Sequence, residues 1–364
     1  MSHKKITFYL SHLYQGGAEN VMVIVANEMA KQGHVIDFVL AKAEGAFIHR
    51  LSSSVNLVDL NLPNPYFAVF GLIKYLRVAQ PDVIISSLHL NNICAVLAKK
   101  FSGVKKTRVL IRVANVISVK RVSFWKKRLE RLALSVFYPW ADKIIAVSKN
   151  VALDLNSFLG IPNKKILVIY SPSITPEMMA ASHEPVDHAW FQSNYPPVVL
   201  GVGRQTVVKD YATLLKAFAL ASKEKDMRLL LLGDGPERLA LEELVKELGI
   251  ENKVEIKGFV DNPFNYMRNA AVMVLPSLWE GLPNVLIEAL ACGCPIISTD
   301  SPGGVREILK DGEYGELVPL RDAQTISDKI LDVLRGEKKP IDEHWLEQFK
   351  VEYSIKQYLH AMME

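Results

Sequence analysis

Cysteine is nearly missing from these 364 residues: Cys94, Cys292 and Cys294 are the only three. So sparse and odd a count excludes a disulfide framework and points to a reducing cytoplasm. Cys292 and Cys294, with one glycine between them, lack the spacing of a metal or redox pair and read as small packing residues. No run of 18 apolar residues occurs, so no membrane-spanning helix is expected. The opening "MSHKKITFYL" puts two lysines directly before a strand pattern, with no long apolar region or cleavage site, so no signal peptide is expected either. The first strand is not followed by G-x-G-x-x-G, which weakens a dinucleotide reading.

What is present is an alternation. "KITFYL", "VIDFVLA", "PDVIISSL", "RVLIRVA" and "KIIAVS" read as strands, with helical periodicity in "AENVMVIVANEMAKQGH", "NNICAVLAKKF" and "KKRLERLALSVFYPWA" between them. The second half repeats the theme from "PPVVLGVG" to "PIISTD". Strand, helix, strand in series means parallel sheets with right-handed crossovers. The fold class is therefore α/β, with two Rossmann-like domains facing each other across a cleft. In such sheets ligands bind beyond the carboxyl ends of the strands. The expected domains are 1–180 and 181–340, with 341–364 a terminal helix packing back toward the first. A linker is placed at 176–196, which lacks periodicity and holds Pro176, Pro185 and Pro196. Charge divides along the same line: residues 1–180 carry 23 Lys+Arg against 10 Asp+Glu, and residues 181–364 carry 20 against 29. Halves of opposite sign suggest different partners.

Three stretches carry candidate chemistry. Gly16-Gly17-Ala18-Glu19 follows the first strand and opens a helix, a place where phosphate approaches backbone N–H groups; a ligand-free tight turn is the alternative. "GVGRQTVVKDY" brings Gly203, Arg204 and Lys209 to the end of a buried strand. Two fixed cations there suit a diphosphate, though solvated loop charges would read the same. "PSLWEGLPNVLIEALACGCPII", residues 276–297, sets Glu280 and Glu288 around a Gly-Leu-Pro turn. Pro283 fits a helix start, and Glu288 is the only charge on a helix apolar all round. A lone buried carboxylate is costly without a partner, and two vicinal ribose hydroxyls would supply one. The amides of Asn284 and Val285, at that helix's N-terminus, suit a phosphate. Gly233 lies in the turn of "LLLLGDGPE", and Phe259 in "KGFV", whose backbone groups suit a base edge; a plain strand end is the alternative.

R-x4-K, E-x7-E, "GGAE" and "GDGPE" together resemble the retaining glycosyltransferases of family four, with the GT-B fold, along nearly the whole chain. The resemblance implies a nucleotide-sugar donor, most often a UDP-sugar, used without a metal or other cofactor; no D-x-D stands against that. By the same resemblance Arg204 and Lys209 bind the diphosphate, Glu288 the ribose, and Glu280 with the Gly281 and Leu282 backbone faces the transferred sugar. Asn284 and Val285 donate amides to phosphate, and Gly17 lies near the distal phosphate. One departure concerns the acceptor side. Many relatives place a histidine after a first-domain strand, where this chain has Ala114; His12, His89, Arg112 and Asn115 are the candidates to replace it.

Residues 99–131 hold twelve Lys+Arg and one acid, Glu130. Within them Lys120, Arg121, Lys126, Lys127 and Arg128 interleave with Phe124, Trp125, Leu129 and Leu132. A basic amphipathic helix with aromatics reads as an interfacial anchor on anionic lipid; the alternative is a core-facing helix with a solvated basic face. No recognised motif supports nucleic acid as a partner. The expectation is a peripheral enzyme on the cytoplasmic face of the inner membrane, moving a hexose or N-acetylhexosamine to a lipid-linked acceptor, as in oligosaccharide, lipopolysaccharide or capsule assembly. A soluble acceptor, a non-hydrolysing epimerase and a non-catalytic nucleotide-sugar sensor are the competing readings.

Overall fold

The computed structural model describes residues 3–14, 16–62, 67–119 and 123–363. The chain divides into two compact units, Met1–Pro172 with Gln348–Glu364, and Ser173–Glu347. The first unit runs β1 (Lys5–Leu10), α1 (Gly17–Lys31), β2 (Val35–Leu40), β3 (Val55–Asp59), α2 (Ala68–Ala79), β4 (Val83–Ser87), α3 (His89–Ser102), β5 (Arg108–Val113), α4 (Phe124–Phe137), β6 (Lys143–Ala146), α5 (Lys149–Leu159) and β7 (Ile166–Val168). The second runs α6 (Pro176–Ser182), β8 (Val198–Val202), α7 (Tyr211–Glu224), β9 (Arg228–Leu232), α8 (Arg238–Glu247), β10 (Val254–Gly258), α9 (Phe264–Asn269), β11 (Val272–Leu275), α10 (Asn284–Ala291), β12 (Ile296–Thr299), α11 (Val305–Ile308), β13 (Glu316–Val318), α12 (Ala323–Arg335) and α13 (Glu343–Leu346). The last helix, α14 (Val351–Ala361), returns to the first unit.

Among the described residues each unit holds one parallel sheet, ordered β3-β2-β1-β4-β5-β6-β7 and β10-β9-β8-β11-β12-β13. Inner strands such as β4 and β11 are buried along their whole length, as expected where helices cover both faces. In each sheet the strand order reverses once, between β1 and β4 and between β8 and β11. In the first unit, right-handed crossovers send α2 to α5 to one face, where neighbours pack side by side, and α1 to the other. That leaves the α1 face bare over β5 to β7, and α14 fills it. Ile355, Tyr358 and Leu359 join a core with Leu110, Ile145 and Ile169. Arg108 donates to Met362 O at 2.9 Å and Ser354 Oγ to Tyr170 O at 3.0 Å, so the helix is also tied by hydrogen bonds.

Residues 176–196 differ from the expected linker. Thr175 caps α6 through Met178 N, with Pro176 in the first turn. Asn262 Nδ2 donates to Ala181 O at 2.8 Å and Asn265 Nδ2 to Pro185 O at 3.0 Å, which binds the segment into the second unit. Its prolines start a helix and shape turns there instead of loosening the chain. The terminal piece 341–364 is also split: α13 belongs to the second unit and α14 to the first.

Candidate active site

The second unit gathers its polar groups where its strand order reverses. β8 and β11 are parallel neighbours, so the loops leaving their carboxyl ends, 203–210 and 276–283, must meet; this is where open α/β sheets bind ligands. Leu278 N donates to Val208 O at 2.8 Å across the junction, and Lys209 Nζ reaches Glu280 Oε1 at 2.7 Å. Ser277, fully buried, donates its hydroxyl to the same Oε1 at 2.7 Å. The backbone of Glu280 is held by Pro302 O at 2.9 Å, and Gly304 N donates to Gly281 O at 2.8 Å. Gly303, at φ +127°, comes so close that a Cβ would run into Glu280 O. Only glycine fits that position.

The loop after β9 closes against the loop after β8. Gln205 N donates to Asp234 O at 2.9 Å and Gln205 Nε2 to Gly233 O at 2.7 Å. A Cβ on Gly233 (φ +119°) would collide with Gly203 O, so both glycines serve close backbone approach. At Gly203 (φ +149°) a Cβ would press on Tyr211 Oη at 3.0 Å and on the Lys209 side chain, with Nζ at 3.6 Å, so both groups lie close against the glycine. The Tyr211 hydroxyl is buried without a hydrogen-bond partner among the described residues, as are Asn284 Oδ1, Ser301 Oγ and Gln205 Oε1. Such orphans are rare in folded chains and call for an explanation.

Two charges here have no protein partner among the described residues. Arg204 is exposed at the loop tip. Glu288 projects from α10, whose N-cap, Pro283, offers no side-chain bond to the first N–H groups, Asn284 and Val285 included. Burial pushes the Glu288 carboxyl up to about 7, with Lys209 pulling the other way. The helix begins one residue after Pro283 and ends at Ala291, with Cys292 as its C-cap and Gly293 following at φ +77°. Leu282 is buried, and Phe259 stands exposed just beyond β10. Arg204, Lys209, Glu280 and the 281–285 turn thus share one strand-end cluster, with Gly203 and Gly233 beneath it. Ser277, Tyr211 and the 301–304 loop were missed by sequence reasoning. Only Pro302-Gly303-Gly304, a turn signal ahead of α11, offered a cue.

The first unit treats its strand ends differently. Gly17 opens α1 as expected, but the Glu19 carboxylate curls over Gly16. Ser11 Oγ is hydrogen-bonded to Asn91 Oδ1 across the β1/β4 reversal. His12 stacks on Tyr14 at 5.0 Å, and His89 Nδ1 lies 2.8 Å from Tyr138 Oη. Arg112 departs most from expectation: it is only 2% exposed, with Nη2 donating to Ser171 Oγ at 2.8 Å and Nε unpartnered among the described residues. Burial depresses its pKa. A guanidinium so enclosed braces the fold and does not present itself to an acceptor. Asn115 is exposed.

Helix α4 is inside out. Phe124, Trp125, Leu129 and Leu132 are each more than 60% exposed, and Leu134 is its one fully buried side chain. The apolar stripe therefore points to solvent, which removes the core-facing alternative. Lys126 and Arg128 are exposed beside it. Lys127 instead turns inward to Ser118 O and the Phe158 ring. Lys120 and Arg121 lie outside the described residues. No described helix is long and apolar enough to cross a membrane.

Comparison with known proteins agrees with this geometry. Residues 15–172 match the family model "Glycosyltransferase Family 4" and residues 187–346 the model "Glycosyl transferases group 1". One relative, at 27% identity over 92% of this chain and 91% of its own, is a Campylobacter jejuni N-acetylgalactosamine-N,N'-diacetylbacillosaminyl-diphospho-undecaprenol 4-alpha-N-acetylgalactosaminyltransferase. Another, also at 27%, over 94% of this chain and 92% of its own, is the N-acetyl-alpha-D-glucosaminyl L-malate synthase of Bacillus anthracis. Among solved structures, Anabaena Alr3699/HepE in complex with UDP-glucose superposes with a TM-score of 0.82 at 19% identity, covering 99% of this chain and all of that one; the likeness establishes the GT-B fold.

Proposed function

We propose, from the premise that this chain belongs to glycosyltransferase family 4, that it is a retaining transferase moving a hexose or N-acetylhexosamine from a UDP-sugar to a lipid-diphosphate-linked acceptor. The observation that carries the donor half is the strand-end cluster of the second unit: an exposed Arg204, Lys209 beside Gly203, and Glu288, with no hydrogen-bond or ion-pair partner for Arg204 or Glu288 among the described residues. Breaking the bond between the anomeric carbon and the diphosphate leaves negative charge on the phosphates and positive character on the sugar. Arg204 and Lys209 stabilise that separation more than the ground state. The acceptor oxygen bonds the anomeric carbon on the face the diphosphate leaves, and its proton passes to a departing phosphate oxygen. Configuration is thereby retained. Glu288 accepts the ribose hydroxyls, the uncapped start of α10 receives a phosphate, and Glu280 orients the sugar. The cations do the neutralising, so activity is expected without an added divalent ion.

Relatives differ in the acceptors they are named for, undecaprenol-linked in one case and malate in another. The outward apolar stripe of α4, with Lys126 and Arg128 beside it, favours the lipid-linked class. Apolar side chains enter the interface while cations meet anionic headgroups, each worth ~1 kcal/mol. The site of action would be the cytoplasmic face of the membrane. Calorimetric titration with UDP and a panel of UDP-sugars, then mass spectrometry of polyprenyl-diphosphate-linked saccharides with chelator present, tests each part. Binding of no UDP-sugar, or equal turnover on free and lipid-linked sugars, would refute the corresponding half.

A further inference from the structure

Both groups that hold the Glu280 carboxylate bind the same oxygen. Lys209 Nζ and Ser277 Oγ each lie 2.7 Å from Oε1, while Oε2 has no hydrogen bond among the described residues. Lys209 is also the cation that lies against Gly203 at the end of β8. When a diphosphate enters, Lys209 has a better-charged partner there and leaves Glu280. A carboxylate deprived of its cation is free to turn about its side-chain bonds, at the moment the sugar needs it in one place.

Ser277 does not face that exchange. It is fully buried, its carbonyl accepts from Thr299 Oγ1 at 2.5 Å, and the next residue is pinned by Leu278 N to Val208 O at 2.8 Å. With its backbone pinned in this way, the residue offers its hydroxyl from a rigid base. We propose that Ser277 is a positioning residue for Glu280, keeping the carboxylate aimed, Oε2 toward the sugar, after Lys209 has gone to the phosphates. This rests on the donor assignment above. It also explains why a serine three residues before the glutamate is buried without a packing role of its own.

The test compares Ser277→Ala and Ser277→Thr in the full-length protein, and Ser277→Ala in a Glu280→Ala background. Affinity for UDP is measured by calorimetry, and kcat with the UDP-sugar that the wild type uses. The expected result for Ser277→Ala is a loss of about tenfold in kcat, the scale of one hydrogen bond to a charged group, with the Kd for UDP within about twofold of wild type. Ser277→Thr restores most of kcat, and in the Glu280→Ala background the serine no longer matters. Ser277→Cys, which keeps the volume and weakens the donor, gives the same reading if the alanine variant folds poorly. Unchanged kcat in Ser277→Ala, or an equal loss with and without Glu280, overturns the proposal. A wild type that binds neither UDP nor any UDP-sugar fails differently: the donor assignment itself falls, and this role with it.

Discussion

The two units share one topology and use it in opposite ways. Each sheet reverses its strand order once, and each gathers polar side chains at that point. In the second unit several remain unspent: among the described residues Arg204 and Glu288 have no hydrogen-bond or ion-pair partner, nor do Tyr211 Oη, Asn284 Oδ1 and Ser301 Oγ. In the first, Ser11 is bound to Asn91, His89 to Tyr138, and Asn92 to Ser86 and the Arg112 carbonyl. The first unit too holds buried polar atoms without a partner among the described residues, Tyr9 Oη, Arg112 Nε, Gln357 Oε1 and Tyr358 Oη; what it adds is an exposed apolar stripe on α4. The contrast between the units therefore lies in what they expose: a strand-end cation, Arg204, in the second and an apolar helix face in the first.

That contrast is open to attack, most strongly at Lys209. Lys209→Ala should cost ~10²–10³ in kcat, as loss of one transition-state donor does, with the circular-dichroism spectrum intact; a loss under tenfold would show that the second cluster is not the reacting centre. Glu288→Gln comes next, with UDP affinity expected to fall about tenfold. Because the folded carboxyl is raised to about 7 from its ordinary value near 4.5, the folded state holds the proton more tightly than the unfolded chain. Its contribution to stability is full below the ordinary value and is lost as pH rises toward 7. The wild-type Tm should therefore decline across pH 5 to 7.5 more than that of Glu288→Gln. Ribose hydroxyls need the ionised form, so UDP binding should weaken by up to about tenfold from pH 7 to 6 in the wild type only. A flat profile would remove Glu288 from the ribose.

Smaller effects probe the first unit. Trp125→Glu with Leu129→Glu should abolish sedimentation with anionic vesicles, and Arg128→Glu alone should weaken it about fivefold. The Tm should stay within about 2 °C, since all three side chains are exposed. Retained vesicle binding would show that the stripe faces something other than lipid. Tyr138→Phe, which takes one hydroxyl away from His89 and Asn92, should cost about 1 kcal/mol of stability, read by urea titration, and leave kcat unchanged. A fall in kcat without a fall in stability would move His89 from scaffold to chemistry.

Inner strands were legible because burial on both faces writes them as apolar runs; β4 and β11 are buried throughout. The edge strands β3 and β7 were not. β3 buries only Val55 and β7 has three half-buried residues, so neither shows a continuous run. Helix α12 did carry its signal, with Ile326, Ile330 and Leu331 at helical spacing. At the site, Lys209, Glu280 and Glu288 stand out because charge is rare in so greasy a segment. Ser277 and Tyr211 do not, because their meaning lies in a contact or in the want of one, which no spacing encodes. Arg112 misled for the converse reason: an arginine at a strand end looks available until Ser171 and α14 close over it.

The return of α14 has a consequence for how the protein is made. Synthesis runs from the amino end, yet the domain begun first lacks Ile355, Tyr358 and Leu359 until the final residues emerge. The domain threaded through its middle has all of its chain by Glu347. The later-born half can therefore close before the earlier one, which waits on the ribosome with β5 to β7 uncovered.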